Sequence, residues 1–211
     1  MRGRFIVFEG VEGCGKTTQA RLLGEWLESR RIPHVLTREP GGTAVGEGVR
    51  PLILHGGDIH ERTELLLYLS ARAALITEVV RPALEAGNLV VADRYEMSTF
   101  AYQGCGRGLP LEQVRAINDF ATGGLKPDLT LWFEVPDTVA NRRMEGRGGP
   151  DRIERAGLAF HDRVAAAYRE LAGTEHAVEA VDGTLDPADV HARVVHILHA
   201  RFPETFANSP G

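Results

Sequence analysis

Apolar residues in this chain fall into short runs separated by longer stretches with a helical period. The runs are RFIVFE, HVLT, LVVAD, LTLWFEV and AVEAVD. Each is apolar on both faces, as strands covered by helices on either side are, and this favours a parallel sheet. Between the runs the spacing predicts helices over Thr17–Ser29, Glu61–Ala86, Leu111–Thr122, Thr138–Glu145, Leu158–Ala172 and Pro187–Ala200. In the first of these, Ala20, Leu23 and Leu27 recur on one face. The pattern predicts an α/β fold, with five parallel strands flanked by helices on both faces. Ligands of such sheets gather beyond the carboxyl ends of the strands. Three loops fall there: GVEGCGKT, TREPGGT and DRYEMST.

The first loop carries the spacing Gly10-x-x-x-x-Gly15-Lys16-Thr17 between an apolar strand and a helix. That is a phosphate-cradling pattern in the context it needs. Glycines let backbone N–H groups turn inward around an anion, because no Cβ blocks the approach. The candidate nucleotide-binding residues are therefore Gly10, Val11, Glu12, Gly13, Cys14, Gly15, Lys16, Thr17 and Thr18. Lys16 reaches the outer phosphates, and the Thr17 hydroxyl is placed for Mg²⁺. A helix N-terminus points at the same anion. Cys14, beside that terminus and Lys16, reads either as a thiol of lowered pKa or as a small residue that fits the loop.

Composition narrows the setting. The 211 residues are 43% hydrophobic and 25% charged, ordinary for a globular protein, and one domain over 1–211 accommodates them. A net charge of −5 argues against a general nucleic-acid or anionic-membrane binder. No apolar run approaches the ~20 residues of a transmembrane helix. The first residues, MRGRFIVFEG, enter a strand without the apolar core of a signal peptide. The two cysteines, Cys14 and Cys105, lack metal-ligand spacing, so a reduced cytoplasmic protein is the plain reading. The tail 203–211 is expected to fray.

LVVADRY ends a buried strand with Asp93 and Arg94. An acid in that place beside a phosphate loop suits a carboxylate that organises Mg²⁺. Arg94 can grip a second anion in bidentate fashion. Two anion sites suggest two phosphorylated substrates, hence a nucleotide kinase rather than a switch GTPase. The guanine-reading pattern NKxD is absent; the nearest stretch, LKPD, has no Asn before its Lys.

Taken in order, FEGVEGCGKTTQ, TREPGGT, DRYEMSTFAYQG and DRIE resemble the bacterial thymidylate kinases, from about Phe5 to the final helix. The resemblance implies a P-loop kinase fold with a short arginine-rich lid. It implies transfer of the γ-phosphoryl group of ATP to dTMP with Mg²⁺, in a cytoplasmic homodimer serving dTTP synthesis. Another P-loop nucleoside monophosphate kinase, or a nucleotide-gated binding module, is the competing reading.

On the acceptor side, Tyr68 and Arg72 lie four apart on one helix and share a face. An aromatic ring and a guanidinium there suit a planar base with a carbonyl edge, or a simple surface pair. By resemblance, Gln103 with Ser98 or Thr99 lines the thymine, Arg94 holds the phosphate, and Tyr102 crowds the sugar 2′ position. Ser98 and Thr99 also read as helix caps. Glu12 matches the acid that receives the deoxyribose 3′-OH. Arg50 is a second clamp on the acceptor phosphate or an exposed helix arginine.

On the donor side, NRRMEGRGGPDRIER has five arginines against three acids and is broken by glycines. A lid over about 142–155 fits this composition. Arg147 and Arg152 are the candidates for transition-state charge, since Gly13 occupies the loop position where some relatives carry an arginine. Arg142 or Arg143 is the candidate for the adenine face.

Overall fold

The computed structural model describes residues 2–145, 149 and 151–206. Five strands form one parallel sheet in the order β2-β3-β1-β4-β5: β1 Phe5–Glu9, β2 His34–Arg38, β3 Leu89–Asp93, β4 Leu129–Glu134 and β5 Val178–Asp182. Each matches an apolar run of the sequence. All of β1 is buried, and the alternation of its side chains explains why. Ile6 and Phe8 pack toward α1 (Lys16–Ser29) and α9 (Pro187–Arg201) with Leu23, Leu27 and Val194. Phe5 and Val7 point the other way, against Leu75 and Val80.

The stretch predicted as one helix over Glu61–Ala86 is helical throughout but not uniform. It runs as α3 (Glu61–Leu75), a wider π turn (Ile76–Val80) and α4 (Arg81–Glu85). Pro82 supplies the reason: it lacks an N–H and crowds the carbonyl four residues earlier in a regular α-helix. A π turn ahead of it relieves that conflict.

Helix α2 (Ala44–His55) was not anticipated, because Gly46, Gly48 and Pro51 interrupt its pattern. Thr43 starts it; its hydroxyl accepts from Gly46 N at 3.0 Å. Gly46 is required by close approach, since a Cβ there would stand 2.6 Å from the Gly41 carbonyl oxygen. After β3 come α5 (Glu96–Thr99) and a second π stretch, Phe100–Gly106. The remaining helices are α6 (Leu111–Thr122), α7 (Asp137–Met144), α8 (Leu158–Thr174) and α10 (Pro203–Phe206). The expectation of fraying from residue 203 does not hold for α10, whose Phe206 is buried against α1 and α9. Residues 207–211 lie outside the described ones. A third apolar cluster joins α3, α6 and α8 through Leu65, Leu69, Val114, Phe160 and Val164.

Candidate active site

The phosphate loop follows β1, Asp93 ends β3 with Arg94 next to it, and Glu39 to Gly42 follow β2, so neighbouring strands deliver three loops to one place. There they border a cavity of about 720 Å³. Its wall includes Glu12, Lys16, Thr17, Arg50, Tyr68, Arg72, Asp93, Arg94, Ser98, Thr99, Tyr102 and Gln103. Twelve residues singled out from sequence thus meet on one surface.

Within the loop, Gly10, Gly13 and Gly15 have φ of 141°, 76° and 104°, a region closed to most side chains. A Cβ on Gly13 would lie 2.5 Å from the Ala140 carbonyl oxygen, so no arginine fits there without moving α7. Val11 packs at the edge of the core, and Thr18 is half-buried in the first turn of α1. Lys16 Nζ donates to Gly10 O at 2.9 Å and Val11 O at 2.8 Å, and contacts Cys14 Sγ at 3.4 Å. Burial and Arg94 push its pKa down, Cys14, Glu12 and Asp93 push it up, and the net direction is up. Lys16 is therefore held as a cation. The Cys14 sulfur belongs to the buried core and is 1% exposed, which favours the reading of a small residue that fits the loop.

Thr17 Oγ1 donates to Asp93 Oδ2 at 2.8 Å, bringing together the two residues expected at a metal. Among the described residues no cluster of three or more His, Cys, Asp or Glu stands as a metal site. Mg²⁺ needs no such cluster, because it binds through one or two protein oxygens, phosphates and waters.

Arg94 sits at φ 77°, outside the usual region for a side chain with a Cβ. The surrounding contacts hold it there. Nη1 donates to Gly10 O at 3.1 Å and Ser98 Oγ at 2.9 Å, and Nη2 pairs with Glu12. Ser98 Oγ and the Tyr168 hydroxyl in turn donate to Glu9 Oε2 at 2.7 and 2.9 Å. Glu9 also receives the N–H groups of Tyr95 and Ser98 at the start of α5. Ser98 is thus committed beneath Arg94, while Thr99 Oγ1 is buried on the cavity wall with no hydrogen-bond partner among the described residues. Tyr102 lies under the Arg94 guanidinium, 5.2 Å from its ring centroid.

Arg72 is 1% exposed and not a free guanidinium. Nε donates to Glu39 Oε1 and Oε2 at 3.0 and 2.8 Å; Nη2 donates to Glu39 and to Tyr95 O at 2.9 Å; Nη1 donates to Asn118 Oδ1 at 2.7 Å. Among the described residues four of its five N–H groups are thereby engaged, and one on Nη1 remains. Burial pushes the Glu39 carboxyl up while Arg72 pulls it down. Asn118 Nδ2 continues the chain to Glu96 at 2.8 Å. Gln103 Nε2 donates to Glu64 Oε1 at 2.8 Å. Tyr68 stands one turn beyond Glu64, its hydroxyl pKa raised by burial. Arg50 Nη1 donates to Pro40 O at 2.8 Å.

The lid candidates divide. Arg147 lies outside the described residues. Arg152 does not join the phosphate loop: Nη1 pairs with Glu64 at 2.7 Å, Nε donates to Ile53 O at 2.8 Å, and its backbone N–H reaches Leu54 O at 2.9 Å. The cavity wall is formed by its neighbours Asp151 and Ile153 instead. Arg143 Nη1 donates to Gly183 O at 2.8 Å and reaches the phosphate-loop carbonyl of Gly13 at 3.5 Å; Arg142 is exposed.

A phosphate loop, a metal-type Thr–Asp pair and a second arginine site on one parallel sheet describe a phosphotransferase, and comparison with known proteins specifies it. A family model described as thymidylate kinase matches residues 8–194. This chain belongs to the thymidylate kinase family. It is 46% identical over 209 residues to a thymidylate kinase of Trichormus variabilis, covering 97% of this chain and 99% of that one. A thymidylate kinase of Fervidobacterium nodosum is 42% identical, with 93% and 98% covered. The crystal structure of thymidylate kinase from Ehrlichia chaffeensis superposes with a TM-score of 0.76 at 31% identity, covering 94% and 99%. The known reaction of the family is phosphorylation of dTMP to dTDP with ATP as donor. Membership decides against a nucleotide-gated module.

Glu9, Glu39, Glu64, Asn118 and Tyr168 were not anticipated. Glu39 stands inside the quoted TREPGGT, and Glu64 lies four before Tyr68. Tyr168 carries no sequence signal; only the fold brings it under Arg94.

Proposed function

We propose that this chain transfers the γ-phosphoryl group of ATP to dTMP, giving dTDP and ADP. The supporting observation is that the phosphate loop and the Tyr68–Arg72–Gln103 surface share one cavity. Backbone N–H groups of residues 10–18 and Lys16 hold the donor phosphates. Thr17 and Asp93 would hold Mg²⁺, which when bound would supply positive charge to the donor phosphates. Arg94 and Arg50 clamp the acceptor phosphate. Tyr68 stacks on the base, and Arg72 and Gln103 meet its edge beside Thr99. Tyr102 fills the 2′ side of the sugar, and Glu12 takes the 3′-OH. Arg143, with Arg142, borders the adenine, and Arg147 supplies charge from the lid. No general base is needed, because positioning and electrostatics lower most of the barrier.

The working form is a cytoplasmic homodimer. The thiols of Cys14 and Cys105 are both free, in keeping with a reducing compartment. Exposed Val45 and Leu52 on α2, Leu66 on α3, and Ile117 and Phe120 on α6 offer an apolar face to a second copy. ADP release measured with dTMP, dCMP, UMP, AMP and dGMP as acceptors tests the reaction. Release is expected to be fastest with dTMP; release independent of any acceptor would overturn the reading.

A further inference from the structure

Glu64 is fully buried one turn before Tyr68, on the helix that walls the base end of the cavity. Three side chains converge on its carboxylate: Gln103 at 2.8 Å, Arg107 at 3.0 and 3.2 Å, and Arg152 at 2.7 Å. An ionised carboxylate only accepts hydrogen bonds. It therefore dictates which end of the Gln103 amide faces it. The NH₂ group turns to Glu64, and the carbonyl oxygen is left on the other side. Among the described residues no donor reaches that oxygen, and Gln103 lines the cavity.

We propose that Glu64 is a positioning residue for base specificity, acting through Gln103 by fixing its amide with the oxygen toward the acceptor base. This rests on the assignment of Gln103 to the base edge. A thymine or uracil offers N3–H, which that oxygen accepts. A cytosine offers a bare N3 lone pair, which it repels. The free N–H of Arg72 completes the match, since it donates to a ring carbonyl and opposes an exocyclic amino group. Arg107 and Arg152 keep the carboxyl charged: burial raises its pKa, the hydrogen bonds from Arg107, Gln103 and Arg152 lower it, and the net direction is down. The choice of base is thus written in a residue four positions from the stacking ring, which itself reads no base atom.

The test is kcat/KM for dTMP, dUMP and dCMP in the parent, Glu64→Gln, Glu64→Asp and Gln103→Leu proteins. A glutamine at 64 donates as readily as it accepts, so the Gln103 amide is freed to turn over. Glu64→Asp keeps the charge for the two arginines but withdraws the oxygens by one methylene. In both variants the dCMP-to-dTMP ratio is expected to rise about 10-fold or more, the cost of one mismatched buried hydrogen bond. The dUMP-to-dTMP ratio stays unmoved, because both bases carry N3–H. If both Glu64 variants lower dTMP and dCMP by the same factor, Glu64 only supports the fold and the proposal falls. If Gln103→Leu also leaves the dCMP ratio at its parent value, the base-edge assignment of Gln103 fails as well. A collapse of discrimination in Gln103→Leu alone would remove Glu64 and leave Gln103 in place.

Discussion

At the scale of single residues, the site is a set of cations held by carboxylates that keep them oriented. Arg72 and Glu39 are 1% and 4% exposed at the side chain, so their pairing offsets two desolvation penalties. Glu39→Ala is expected to cost about 3–5 kcal/mol, because a buried guanidinium loses its counter-charge. Replacing both by Glu39→Gln and Arg72→Met should cost less than the two single changes added together. Urea unfolding measures all four; a loss under about 1 kcal/mol for Glu39→Ala would contradict the buried-pair account. The two cysteines give a second residue-level outcome. Cys14 is enclosed and Cys105 is half-buried. Iodoacetamide on the native protein should modify Cys105 first and leave Cys14 intact until unfolding. Mass spectrometry of the labelled peptides decides it, and early labelling of Cys14 with loss of activity would restore the reactive-thiol reading. The residues of the phosphate loop were legible one by one, because glycines at positive φ and a fixed loop spacing are local requirements. Their counter-charges were not.

At the scale of elements, the segment containing Arg152 shows what a composition argument leaves open. Five arginines among glycines read as a lid closing over phosphates. The structure instead draws Arg152 down onto α2 and α3, where Ile53, Leu54 and Glu64 supply acceptors at 2.7 to 2.9 Å. Among the described residues its Nη2 is buried without a partner. Arg152→Ala should therefore raise the KM for dTMP by several-fold and lower kcat less, since the loss falls on the base end. A fall in kcat of about 10²-fold at constant KM would return Arg152 to the phosphoryl group. Helix α2 was missed for a related reason. Its glycines and proline weaken the local pattern, and the close approach to Gly41 that demands one of them appears only in three dimensions.

At the scale of the whole molecule, α2, α3 and α6 present five large apolar side chains to solvent, with Phe120 89% exposed. A second copy covering them is the expected arrangement. Phe120→Asp and Leu66→Asp should shift the protein from dimer to monomer in light scattering after size exclusion, while Leu158→Asp, on α8 rather than on these three helices, should not. A parent protein that is monomeric at micromolar concentration would remove the dimer. The sequence by itself determined the α/β class, all five strands, the phosphate loop and twelve of the residues that line the cavity. Those features depend on near neighbours: side-chain alternation in a strand, the helical period, a glycine where φ is positive. Tertiary structure alone decided which partner each buried polar group takes. Glu39 meets Arg72 across 33 residues, Gln103 meets Glu64 across 39, and Arg72 meets Asn118 across 46. The chain holds 24 basic and 29 acidic residues, so many pairings satisfy charge equally well on paper. Only the packing of α3, α5 and α6 against the sheet brings particular oxygens within hydrogen-bond reach of particular nitrogens, and in the interior that reach, rather than charge, selects the pair.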